Sequence, residues 1–141
     1  DDSPATHEWT VDLHVPDTRI PTGPFEVTRE TTASFTYASF EEDASATACG
    51  PSCSVYCSLD GSAFNPCEAQ YTGLGEGTHT LVARAQDTAG NVDPSPASRS
   101  WRVDLTRPDT TIVTRPGDPS PALRAGFDFN STASDVARFE C

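Results

Sequence analysis

One stretch of this sequence occurs twice. Residues 1–20 read DDSPATHEWTVDLHVPDTRI and residues 93–112 read DPSPASRSWRVDLTRPDTTI, with twelve of the twenty positions identical and no gap. The offset from Trp9 to Trp101 is 92, and it also carries Phe35 onto Phe127 and Tyr37 onto Phe129. Self-similarity at a fixed period marks an array of like units, each needing its own core, and it takes precedence over any single-domain reading of 141 residues. The copies then differ in length. Val55-Tyr56-Cys57 matches Phe139-Glu140-Cys141, and the first copy needs about eight more residues to reach it. The extra length is expected near 41–53, in the polar run that holds Cys49 and Cys53. The expected division is a last strand of a preceding repeat over 1–15, a complete repeat over 16–107 and the opening of a further repeat over 108–141. This division leads to the expectation that the sequence is a piece of a longer array.

Within the complete unit the apolar residues alternate. Phe35 and Tyr37 lie on one face of Ser34–Ala38; Val55, Cys57 and Leu59 form a second inward set; His79, Leu81, Ala83 and Ala85 a third; Trp101 and Val103 a fourth. Period-two alternation means half-buried strands. Asp60-Gly61 is a hairpin turn signal, and Gly75–Gly77 marks a second turn. No stretch has a sustained helical period. Short strands with a turn every 8–12 residues predict an all-β chain of tandem immunoglobulin- or fibronectin-III-like β-sandwich repeats. The expected core is Phe35, Tyr37, Val55, Leu59, Leu81, Ala83, Trp101 and Val103. Trp101 sits in a Trp-x-Val alternation in both copies, which favours core packing over an exposed ring for a sugar.

Five cysteines occur, Cys49, Cys53, Cys57, Cys67 and Cys141. The first four allow three pairings. Comparison of the copies favours one. Cys49 and Cys53 both belong to the extra segment and are expected to pair, Cys49–Cys53. Cys57 aligns with Cys141 outside it, so its partner belongs to the common repeat, giving Cys57–Cys67; the partner of Cys141 then lies beyond the chain end. A tetrahedral zinc site would use four thiolates, but the Cys-x3-Cys-x3-Cys-x9-Cys spacing lacks the usual Cys-x2-Cys knuckles. Disulfides imply an oxidising compartment.

The formal net charge is −12, and the nine basic residues are all arginine. Such a chain repels phosphate backbones and anionic lipid, which argues against nucleic-acid partners. No apolar run is long enough to span a membrane. There is no Gly-rich phosphate loop and no Gly-x-Ser-x-Gly elbow. Glu41-Glu42-Asp43 lies in a polar segment, so no convergent catalytic set is visible. His79 has no nucleophile or metal-ligand partner near it in sequence and is read as structural.

A longer series of motifs carries a resemblance. Tyr56-Cys57-Ser58-Leu59-Asp60-Gly61 is followed by Phe64-x-Pro66-Cys67 and by Tyr71-Thr72-Gly73-Leu74-x-x-Gly77-Thr78-His79-Thr80. Next come Ala85-x-Asp87-x-Ala89-Gly90-Asn91-x-Asp93 and Trp101-x-Val103-Asp104. As a set, this resembles the bacterial-type Ig-like repeat of large surface proteins such as adhesins, and is similar to the Ig-like repeats of green-algal mastigoneme proteins. The resemblance implies a non-catalytic spacer or assembly module of a secreted filament or cell-surface fibre, without a cofactor. Its implied partners are neighbouring repeats, laterally associated copies and other surface proteins. The Cys49–Cys53 segment departs from the simpler pattern.

Three further features bear on function. Asp87, Asn91 and Asp93 lie in an acidic loop whose oxygens suit calcium; the competing reading is an Asx-type turn with Gly90 at positive φ. Asn130-Ser131-Thr132 is an acceptor sequon for glycosylation in a eukaryotic secreted protein. Pro108, in the linker between copies, restricts bending and favours a semi-rigid rod. Alternative roles are an adhesive module for glycan or protein, calcium-stiffened, and an accessory domain of a secreted hydrolase.

Overall fold

A computed structural model of the chain describes residues 4–41, 49, 53–119, 121–131 and 138. The chain is all-β, with eleven strands and no helix among these residues. It divides between Asp104 and Leu105 into two units, three residues ahead of the boundary expected from the repeat.

The first unit contains β1 (Pro16–Thr22), β2 (Val27–Thr28), β3 (Ala33–Ser34), β4 (Thr36–Glu41), β5 (Cys53–Leu59), β6 (Asn65–Pro66), β7 (Gln70–Tyr71), β8 (Gly77–Asp87) and β9 (Ala97–Val103). Five of these form one sheet in the order β2-β9-β8-β5-β6. Only the β2–β9 pairing is parallel; the others are antiparallel. β1 pairs with β4 and β3 with β7, both antiparallel.

The core follows from the alternation of β8 and β9. Leu81, Ala83 and Ala85 are fully buried and the residues between them are half-buried. On β9, Trp101 and Val103 are buried while Ser100 and Arg102 face out. Ala33, Phe35, Cys57 and Leu74 complete the buried cluster, with Ile20, Tyr37, Val55, Leu59, Cys67 and Tyr71 packed against it. Small Ala83 on the central strand leaves room for the aromatic rings. Phe35 meets Trp101 edge-on at 5.4 Å and Tyr71 edge-on at 5.9 Å, the arrangement that ring quadrupoles favour. Of the eight core residues expected, five are buried outright and Tyr37, Val55 and Leu59 are half-buried at the edge of the cluster.

Ser34–Ala38, expected as one strand, is interrupted at Phe35. Its first part pairs with β7 and its second with β1. Phe35 N–H donates to Ala69 O at 2.9 Å, so the chain changes partner at the residue whose ring fills the core. Residues 4–15 form no strand, in contrast to the strand expected from the repeat. Trp9, Val11 and Leu13 are 76 %, 67 % and 81 % exposed. A strand needs a ladder partner, and β9 already occupies the place between β2 and β8 that this sequence would take.

The second unit contains β10 (Thr110–Thr114) and β11 (Asp128–Ser131), paired antiparallel. Thr110 faces Ser131, Thr111 faces Asn130 and Thr114 faces Asp128, with a register shift before Thr114. In the first unit Thr18 faces Ser39, Arg19 faces Ala38 and Thr22 faces Thr36, with a register shift before Thr22. Every one of these pairs maps onto its counterpart by adding 92. The side chains agree as well. Thr22 and Thr36 share a hydroxyl–hydroxyl bond of 2.7 Å, and Thr114 donates to the Asp128 carboxylate at the same place.

Candidate functional site

Four of the five cysteines are in disulfides. Cys49 is bonded to Cys53, with Cα atoms 5.4 Å apart, and Cys57 to Cys67, with Cα atoms 4.8 Å apart. These sulfurs are not thiolates and offer no zinc ligands. Cys57–Cys67 ties β5 to the residue after β6, beside the core. Cys49–Cys53 anchors buried Cys49 to the start of β5, and Cys49 N–H donates to Ser39 O at 3.1 Å. Most of the extra segment, 42–48 and 50–52, lies outside the described residues, as does Cys141.

The acidic loop is closed by its own hydrogen bonds. One Asp87 carboxylate oxygen accepts from Asn91 N–H and the other from Asn91 Nδ2, both at 2.8 Å. Gly90 takes a φ of 96° in the turn. Burial pushes the Asp87 carboxyl up, but hydrogen bonds from Asn91, Gly90 and Ala89 outweigh it and hold the pKa below the ordinary value. Asn91 presents its amide nitrogen, not its oxygen, to Asp87, and the same nitrogen donates to Asp12 O at 3.2 Å. Asp93 is buried; its Oδ1 accepts from Ser95 N–H and Oγ, and its Oδ2 has no partner among the described residues. No group of three or more His, Cys, Asp or Glu among the described residues is placed to hold a metal. The geometry is that of an Asx turn that also holds the N-terminal segment.

His79, which has no partner in the local sequence, has two in the fold. Its Nδ1 lies 2.7 Å from Asp60 Oδ2 and its Nε2 lies 3.0 Å from Gly75 O. Asp60 Oδ1 also accepts from Thr80 N–H at 2.8 Å. The β5–β6 turn makes this possible, because Asp60 and Gly61 both adopt positive φ, 51° and 77°, as a tight hairpin turn demands. Two acceptors facing one imidazole favour the doubly protonated ring. The Gly75 carbonyl and then Asp60 raise the His79 pKa above 6.5, against the effect of burial. The His79 ring also packs on Trp101 at 5.6 Å. With both nitrogens engaged, His79 has no free nitrogen for general base work, and it serves as a brace between a turn and β8.

A shallow hollow of about 220 Å³ lies against Tyr56, Phe64, Arg84, Gln86 and Val92. Tyr56 and Arg84 are cross-strand partners on β5 and β8, and the Arg84 guanidinium sits 4.0 Å over the Phe64 ring. The site is not legible in the sequence, because Phe64 lies twenty residues from Arg84 and it takes both the β5–β6 hairpin and the β5–β8 register to bring them together. Asn130 is exposed on β11 opposite Thr111, with its Oδ1 accepting from Ser131 N–H at 2.8 Å. Thr132 lies outside the described residues.

Against known proteins, the chain matches no family model and no curated protein. No helix long and apolar enough to cross a membrane occurs among the described residues.

Proposed function

We propose that this chain is a non-catalytic structural segment of a secreted extracellular filament or cell-surface fibre, built from tandem immunoglobulin-like β-sandwich repeats. The observation that carries the reading is the agreement of the two strand pairs. β10–β11 reproduces the register of β1–β4, including the position of its irregularity, at the 92-residue offset of the sequence repeat. Shared sequence and shared pairing support reading the two units as successive copies of one body. The two disulfides support secretion, since such bonds persist in oxidising compartments. The polar groups with chemical interest, Asp60, His79, Asp87 and Asn91, are engaged in holding turns, which suits a scaffold. Neighbouring repeats and laterally associated copies are its partners.

Electron microscopy of the native protein, isolated without reduction, tests this. Filaments with a spacing commensurate with one or two repeat bodies are expected. Isolated monomers bearing a separate globular head would overturn the fibre reading.

The hollow beside Arg84 favours a second reading, an adhesive module that takes a glycan on the outer face of the five-stranded sheet. An aromatic ring under a guanidinium suits an acidic sugar. Binding to a panel of uronic-acid oligosaccharides that is lost in Arg84→Ala would support it; equal binding by both proteins would dispose of it.

A further inference from the structure

The sequence Trp-x-Val-Asp-Leu occurs at 9–13 and at 101–105 with opposite surroundings. Trp101 and Val103 are 2 % and 0 % exposed, whereas Trp9 and Val11 are 76 % and 67 % exposed. The match extends along the strand except at His7, which stands for half-buried Arg99. Ala5, Trp9 and Val11 stand for Ala97, Trp101 and Val103, and polar Thr6, Glu8 and Thr10 stand for the outward Ser98, Ser100 and Arg102. So residues 5–11 carry the inward and outward pattern of β9, yet lie outside any ladder among the described residues.

The slot that accepts this pattern is defined by β9 itself. Trp101 faces His79 and Val103 faces Gly77 across the antiparallel β8 ladder, while Arg102 and Val103 run parallel to Val27 and Thr28 of β2. In the body described above the slot is filled. A strand of this pattern fits another slot of the same kind, because its inward residues alternate at the spacing of β9.

We propose that Ala5–Val11 is a donor strand that completes a second body of this same kind, entering between its β2 and β8 equivalents with Trp9 in the place of Trp101 and Val11 in the place of Val103. The proposal rests on the tandem-repeat reading and goes beyond it, since it assigns the joint between bodies to named residues. The joint has a second hold. Asp12, next to the donated strand, gives its carbonyl oxygen to Asn91 Nδ2 of the following body at 3.2 Å. A strand structurally part of one body is therefore tethered to the next by the Asx-turn loop, and only a few residues separate the two holds. The carboxylate of Asp12 also changes partner. Asp104 pairs with Arg102 at 3.0 Å, whereas Thr10 replaces that arginine and Asp12 accepts instead from His14 N–H at 3.0 Å.

The test lengthens the full chain by placing a second copy of residues 16–92 directly before Asp1, so that residues 1–15 follow it as 93–107 follow the original. The added stretch contains no tryptophan. In a Trp101→Phe background Trp9 is then the sole tryptophan, read by its emission and by acrylamide quenching after oxidative folding. A blue shift and a severalfold drop in quenching relative to the unextended Trp101→Phe chain are expected. Trp9 quenched equally in both chains would overturn the proposal. Should Trp101→Phe prevent folding, fluorine NMR of the chains labelled with fluorotryptophan resolves both rings without a substitution, and a Trp9 signal unchanged by the extension would overturn the proposal in the same way. The outcome is independent of filament formation: a buried Trp9 without filaments in the microscope would sink the fibre reading and leave the donor strand standing.

Discussion

The β1–β4 and β10–β11 pairs have the same register and the same irregularity, and differ in what covers them. In the first, Pro16 and Thr18 are buried and Phe35, beside β4, lies in the core. In the second, every residue of β10 is exposed, and Ile112, Phe127 and Phe129 show much of their apolar surface. Cross-strand pairing is therefore written locally, in Thr–Thr and Thr–Asp contacts between neighbours. Burial is written elsewhere, in the five-stranded sheet that packs on β1–β4 and contributes Leu81, Ala83, Trp101 and Val103.

Removing the cover should make the first pair resemble the second. Trp101 is the largest buried ring and touches both Phe35 and His79. Trp101→Ala is expected to destabilise the first unit by about 3–5 kcal/mol, measured by denaturant unfolding. Hydrogen exchange should show the amides of β1 and β4 losing protection toward the level of β10 and β11. Trp9→Ala, at an exposed copy of the same residue, should change stability by less than about 0.5 kcal/mol. Equal losses from the two substitutions would break the comparison, because they would mean that Trp9 is packed as Trp101 is.

Sequence reasoning reaches different depths in the two units. The all-β character, the main alternating strands and the inward residues of β8 and β9 are legible because period-two patterning records which face meets the core. The pairs Cys49–Cys53 and Cys57–Cys67, favoured by aligning the copies, are the two pairs that stand bonded. Long-range polar partners are not legible. Asp60 reads as half of a turn and His79 as an inward strand residue, and only the β5–β8 register, with Leu59 opposite Leu81, brings them together. The break at Phe35 is hidden for a related reason. Alternation continues through it, while the change of ladder partner depends on Ala69, thirty-four residues away. Residues 4–15 carry a strand pattern without a strand, since a pattern names a face and not the ladder that will hold it.

Thr18 sharpens the same contrast at the level of one hydrogen bond. β9 begins opposite Ala83, so the β8 backbone beyond it lacks that ladder. The buried Ala85 N–H donates to Thr18 Oγ1 at 2.7 Å. Thr18→Val keeps the shape and leaves a buried donor unsatisfied, at an expected cost of about 1–3 kcal/mol. Thr110 is the counterpart of Thr18 in the second pair and is exposed. Thr110→Val should cost less than about 0.5 kcal/mol. Thermal melts of the two variants, side by side, measure how much of the role of this threonine comes from its cover and how much from its strand.

The smallest expected effect is a pH dependence confined to the covered unit. His79 is 13 % exposed in its side chain and faces the Gly75 carbonyl, the Asp60 carboxylate and the Trp101 ring. The carbonyl and then the carboxylate raise its pKa above 6.5. A group whose pKa is higher in the folded state binds its proton more tightly there, so the stabilisation is complete below the unfolded value near 6.5 and is lost as pH rises through the folded one. The melting temperature of the first unit should fall with pH across that window. His79→Gln should flatten this fall. Asp60→Asn should reduce it without removing it, because the Gly75 carbonyl remains the larger cause. Asp87 has the opposite sign: its lowered pKa gives a stabilisation present above about 3.8 and lost in acid, so the two ends of the profile report two different turns. A fall on the alkaline side that survives His79→Gln would assign it to another group and remove the brace between the Asp60 turn and β8 from the pH dependence of the covered unit.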